Sequence, residues 1–170
     1  MLKAGVKPIW SFCISKSTNG VFCNNRLNCS GFSWLYQKLH ELAILELDYI
    51  HRYNAFGENI VRLYHFNAKE AAKLSQLIKQ TLLAEQGVLD LTTIDFITPR
   101  NCKLVLRISS TNEGIITHDG IHFFCNLTLE GYEQMLAAMA PFCIKDSKGY
   151  QWLYEADNPI DFLFSPAGTW

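Results

Sequence analysis

Two periods organise this chain: alternation of apolar and polar residues where strands are expected, and a spacing near 3.6 where helices are expected. Over 45–53, Leu45, Leu47, Tyr49, His51 and Tyr53 alternate with Glu46, Asp48, Ile50 and Arg52, the pattern of a half-buried strand. The turn Asn54-Ala55-Phe56-Gly57-Glu58-Asn59 separates it from a second apolar run at 60–66, which together predict a hairpin. Before the first of these strands, Leu35, Leu39, Leu42 and Ala43 fall at helical spacing behind Ser30 or Ser33 as caps, which predicts a helix ending near Ala43. One long helix over 33–53 is the competing expectation. Further upstream, 9–15 and 20–23 read as short strands joined through Asn19-Gly20.

Asn67 opens the clearest helix. Glu70 stands three residues on, as a capping box requires. Ala71, Leu74, Leu77, Ile78 and Leu82 then keep helical spacing until Gly87, the expected left-handed stop. A strand is predicted over 91–98, before Pro99. Another follows over 102–109, with Leu104, Leu106 and Ile108 on one face and Lys103, Arg107 and Ser109 on the other. After the turn at 111–114, the runs 115–118 and 121–126 flank Asp119-Gly120, the chemistry of a two-residue hairpin turn. Thr128 caps a second helix carrying Met135, Leu136 and Met139, which Pro141 is expected to stop. Two last strands, 150–155 and 160–165, form a C-terminal hairpin around Ala156-Asp157-Asn158-Pro159.

Placing Asn67 on Thr128 aligns Leu74 with Met135 and Ile78 with Met139. The stretches 45–86 and 102–140 thus form a weak internal repeat of two β-β-α units. Duplication and convergent β-β-α grammar explain it equally well. The expected fold is one globular α+β domain over 1–170, an antiparallel or mixed sheet with amphipathic helices packed on it.

Composition narrows the classes. The 170 residues are 49% hydrophobic with a formal net charge of −1, enough for a core and far from the composition of a disordered chain. Charges of both signs are spread along the chain. The nearest basic cluster, Lys69, Lys73 and Lys79, is interrupted by Glu70 and reads as a solvated helix face. No nucleic acid is therefore expected as a partner. No run approaches the ~20 apolar residues of a membrane span, and residues 1–17 are broken by Lys3, Lys7, Pro8 and Lys16, unlike a signal peptide. A cytoplasmic, reducing location is the expectation, with the six cysteines (13, 23, 29, 102, 125 and 143) unpaired and serving as small core residues.

Motifs with strong chemical content are missing: no phosphate loop, no Gly-x-Ser-x-Gly elbow, no His-Glu-x-x-His helix. Cys23-x5-Cys29 is too widely spaced for a zinc knuckle, and His118 and His122 flank the Asp119-Gly120 turn, where strand geometry sets them off-register, so neither metal nor cofactor is expected. His122 and Cys125, three apart on a strand, point to opposite faces. Glu46 with Asp48, and Asp157 with Asp161, are the carboxylate pairs that could serve acid–base chemistry, although turn and surface roles suit them better. What remains is the aromatic C-terminal segment, interleaved with acids. Its Tyr150, Trp152, Tyr154, Asp157, Asp161 and Trp170 are the candidate binding residues, because aromatic side chains dominate interface energetics. The functional expectation is a non-enzymatic module that binds another protein, in concrete form an immunity or inhibitor protein. The alternative is a small enzyme or ligand-binding domain assembled from His51, His65, Cys23 and Tyr49. A structural subunit that self-associates through the terminal aromatics is the third class.

Overall fold

The computed structural model describes residues 45–167. The strands expected over 9–15 and 20–23, the helix capped by Ser30 or Ser33, Cys13, Cys23, Cys29 and Trp170 lie outside the described residues. The alternative of a helix continuing to 53 is overturned where it can be seen. Leu45–Ile50 is a strand, β1, with Leu47 buried between polar Glu46 and Asp48.

Strand β2 (Asn59–Tyr64) pairs antiparallel with β1, setting Leu47 opposite Leu63 and Asp48 opposite Arg62. Helix α1 (Ala68–Ile78) follows, and its predicted capping box is present. The Asn67 side chain accepts from Lys69 N at 2.8 Å and Glu70 N at 3.3 Å, while Glu70 accepts from Asn67 N at 3.0 Å. Lys79–Ala84 continues α1 as a wider π-helical turn. Its end corrects the expectation at Gly87. The left-handed residue is Gln86, at φ 51°. Gly87 instead passes so close to the chain that a Cβ would lie 3.3 Å from the Thr81 carbonyl, which its own N–H meets at 2.8 Å.

The strand expected over 91–98 is mostly not a strand: a short strand precedes it, a 3-10 turn takes its start, and only its end pairs, in the other sheet. Val88–Asp90 is β3, Leu91–Thr93 is a 3-10 turn and Ile97–Pro99 is β4. The break comes from Asp90, whose carboxylate accepts from Thr92 N at 2.8 Å and Thr92 Oγ1 at 2.7 Å, a local bond that competes with the ladder. Strands β5 (Lys103–Ile108), β6 (Gly114–Thr117) and β7 (His122–Leu127) come next. The β6–β7 loop is wider than a two-residue turn, with Thr117 opposite Phe123. Asp119 draws it open by accepting from Ile121 N and His122 N at 2.9 and 2.7 Å.

Helix α2 (Leu129–Ile144), capped by Thr128, runs through Pro141 instead of stopping there. Proline deprives the Ala137 carbonyl of its helical donor. Both residues lie on the exposed face, where water can serve that carbonyl. Leu74, Ile78, Met135 and Met139, the four residues aligned by the repeat, are all buried. The C-terminal hairpin joins β8 and β9 (Ile160–Ser165), with β8 reduced to Gln151–Trp152.

Two mixed sheets result, ordered β4-β1-β2-β9-β8 and β3-β5-β7-β6. Their inner faces and both helices share one apolar cluster. Tyr49 of the first sheet packs on Phe123 of the second at 4.7 Å between ring centroids. The repeat does not form two self-contained sheets. Strands β3 and β5, which follow α1 with β4 between them, pair antiparallel with each other, as do β8 and β9 after α2. Each such pair joins the rest of its sheet through a parallel ladder, β9 on β2 and β5 on β7.

Candidate functional site

The parallel ladder between β2 and β9 sets Asn59 beside Ile160 and Ile60 beside Asp161. That register brings the turn of the first hairpin to the loop before β9, where Asn59 N donates to the Pro159 carbonyl at 3.3 Å. A cleft of about 570 Å³ opens at this meeting, lined by Tyr53, Trp152, Tyr154, Glu155, Ala156, Asp157 and Asp161. This volume lies within the ~300–1,000 Å³ of small-ligand pockets. Four of the six residues singled out from the sequence thus stand around one cleft: Trp152, Tyr154, Asp157 and Asp161.

Their roles differ. Tyr154 is a structural tie, since its hydroxyl donates to the Ile160 carbonyl and accepts from Ile115 N at 3.0 Å, joining β9 to β6 across the sheets. Burial pushes its hydroxyl well above the ordinary tyrosine range. Asp161 is half-buried and accepts from the Tyr53 hydroxyl at 3.4 Å. Burial raises its pKa, the Glu58 carboxylate adds to the rise, and the Tyr53 bond opposes it. Tyr53 also donates to Glu58 at 3.3 Å. Asp157 and Glu155 are exposed at the rim. Tyr150, 49% exposed, meets Trp152 edge to face with centroids 6.0 Å apart. Phe162 and Phe164, by contrast, are core residues. Phe56 stands 90% exposed on the turn that carries Tyr53.

Sequence reasoning missed Tyr53, Glu155 and Ala156. Glu155 and Ala156 sit directly between the singled-out Tyr154 and Asp157, so proximity was their signal. Tyr53 carried none. It meets Asp161 only because a parallel ladder joins strands about a hundred residues apart.

The two pairs of carboxylates have separate fates. Asp157 and Asp161 share the cleft. Glu46 and Asp48 share the other face of β1, and each is held by its own arginine. Asp48 takes Arg62 through two bonds of 2.8 and 2.5 Å, and Arg62 lies over the Tyr64 ring at 4.5 Å. Glu46 takes Arg100 through two bonds of 2.6 Å, the Tyr64 hydroxyl at 2.7 Å and His65 Nδ1 at 3.2 Å. The Arg100 guanidinium, against some desolvation and helped by Tyr64 and His65, holds the Glu46 carboxyl down at about 2. An unfolded Glu46 titrates near 4.5. Its depressed value therefore contributes stability that is full above pH 4.5 and disappears as pH falls through about 2. Thermal unfolding followed from pH 4.5 down to pH 2 should show a steeper loss for the natural chain than for Arg100→Gln. Parallel profiles would show that the pair contributes nothing.

His51, His65 and Tyr49 are not brought into one site. Tyr49 bonds His51 at 3.3 Å at one end of the first hairpin, and His65 meets Glu46 at the other. Five residue steps of β1 separate those ends by about 17 Å. Cys102, Cys125 and Cys143 are free thiols. Burial pushes the first two up to about 12, far from the thiolate a nucleophile needs. Among the described residues, no cluster of three or more His, Cys, Asp and Glu is placed to hold a metal ion, and no helix is long and apolar enough to cross a membrane. Protein-family models, curated proteins and solved structures give no match to this chain.

Proposed function

We propose that this chain is a protein-interaction module that docks through the edge of its first sheet at β8 and the adjoining acid-lined cleft. One observation carries the reading. Phe56 and Tyr150, both large aromatic side chains, are left in solvent on segments that also supply Tyr53 and Trp152 to a single cleft. Burying such rings is costly to forgo and inexpensive in side-chain entropy, so they are the side chains from which interface hot spots are built. The strand β8 is also the outer strand of its sheet and only two residues long, which leaves the neighbouring backbone open to a partner. In its concrete form the module is an inhibitor or immunity protein seated on an effector through this edge.

Capture by the tagged full-length chain, expressed at its native level, tests the reading. One stoichiometric partner is expected, with Trp152→Ala and Phe56→Ala each weakening it at least tenfold, roughly 1.4 kcal/mol, while circular dichroism stays unchanged. Tyr154→Ala is unsuitable for this purpose, since removing the tie between the sheets would damage the fold. Capture unaffected by either substitution, or no partner at all, would overturn the proposal.

A further inference from the structure

The lining of the cleft says what chemistry it takes. Among the described residues, three aromatic rings, three carboxylates and one alanine make up the wall, with no cationic side chain among them. Apolar faces beside uncompensated acids suit a group that is flat or apolar on its sides and positively charged. Resting on the interaction reading above, we infer that the cleft between Trp152, Tyr53 and Asp157 receives an arginine side chain presented by a basic segment of the partner.

Guanidinium fits better than ammonium for reasons of shape and hydration. It is planar and weakly hydrated, so it can lie on the Trp152 face while its edge bonds carboxylates in pairs. The chain already uses this arrangement within itself once in full, at Arg62, and once with an amide oxygen in place of the carboxylate, at Arg107. Arg62 lies over Tyr64 while holding Asp48 by two bonds, and Arg107 lies 4.4 Å over Phe124 while bonding Asn126 at 2.6 Å. In the cleft the ring and the acids are present and the arginine would come from outside. The rim acids Glu155 and Asp157 are exposed and able to turn toward a ligand. Asp161, deeper in, has its charge disfavoured by burial and by Glu58; a cation beside it relieves both. Because β8 ends the sheet, an extended peptide can run past the cleft and still place one side chain in it.

The test uses the full chain and three blocked tripeptides, Gly-Xaa-Gly, with arginine, lysine or citrulline at the centre. Citrulline keeps the shape of arginine and loses its charge. Titration is followed by nitrogen–proton correlation spectra. Saturable shifts at the Trp152 indole and the Ala156 and Asp157 amides are expected with the arginine peptide. The lysine peptide should bind several-fold more weakly and the citrulline peptide should produce no shifts. The double variant Glu155→Gln, Asp157→Asn, at exposed positions, should weaken the arginine peptide about tenfold, and Trp152→Leu should do the same while keeping apolar packing. Equal shifts from arginine and citrulline, or shifts indifferent to both variants, would overturn the inference. Partner capture that depends on Trp152 while the arginine peptide fails to bind would remove the arginine and leave the interaction reading standing. Arginine binding without any captured partner would do the reverse.

Discussion

Gly114→Ala should destabilise this protein severely, lowering the midpoint of thermal unfolding by about 10–20 °C. Two independent causes combine at that residue. Its backbone is left-handed, at φ 72°, which costs an alanine about 1–2 kcal/mol. An added Cβ would also lie 2.8 Å from Tyr154 Cε2 and 3.0 Å from its Cζ. Tyr154 cannot swing away freely, because its hydroxyl ties Ile115 N to the Ile160 carbonyl. Moving the ring would leave those groups without a partner, at about 1–3 kcal/mol each. A total of about 3–8 kcal/mol, the upper end reached only if both bonds are lost outright, is a large share of the ~5–15 kcal/mol that holds a typical domain together.

Gly120 supplies the control. Its φ is 69°, nearly the same, yet nothing lies within 4 Å of where its Cβ would be. Gly120→Ala should therefore show only the backbone cost, a few degrees. The difference between the two alanine variants reports the contact with Tyr154. Replacing Tyr154 by leucine should shrink that difference, because coupled residues are not additive. Equal losses at Gly114 and Gly120 would show that the approach to Tyr154 carries no cost.

Local features of this fold were legible in the chain, whereas features set by distant pairing were not. The capping box at Asn67 and Glu70 could be read because all its atoms belong to four consecutive residues. The burial of Leu74, Ile78, Met135 and Met139 could be read because helical spacing alone puts them on the inner face. Pro141 misled because the penalty for a proline inside a helix depends on whether the freed carbonyl meets water, a tertiary matter. Gly87 misled because the π-helical turn shifted the left-handed position by one residue, onto Gln86. At the cleft, the aromatic segment and its acids could be picked out by composition. Tyr53 could not, nor could the division between Tyr154 as a tie and Trp152 as a cleft wall. Both depend on the strand exchange, which places residues about a hundred positions apart in one ladder.

That exchange has a consequence for how the protein holds together. Strand β9 lies between β2 and β8, and Phe162, Leu163 and Phe164 on it are fully or almost fully buried. It belongs to the second half of the chain but completes the first sheet. Strand β5, which precedes the turn from Ser109 to Glu113, likewise lies between β3 and β7 in the second sheet, with Leu104 and Leu106 buried. Each sheet thus needs strands from both halves, and the helices pack into the same cluster. The covalent link between the halves, the turn from Ser109 to Glu113, is exposed at Ser110 and Thr111. A protease site inserted between Ser110 and Thr111, then cut, should leave the two pieces bound as one species on gel filtration. The cut protein should still unfold in a single transition, now dependent on concentration because two chains separate. Pieces that part under native conditions, or that unfold at two temperatures, would mean that each half holds its own structure and the exchanged strands add little. Single, concentration-dependent unfolding would mean that the two parallel ladders, closed across about twenty residues in one sheet and a hundred in the other, hold the pieces in one cooperative fold without the peptide bond that joins them.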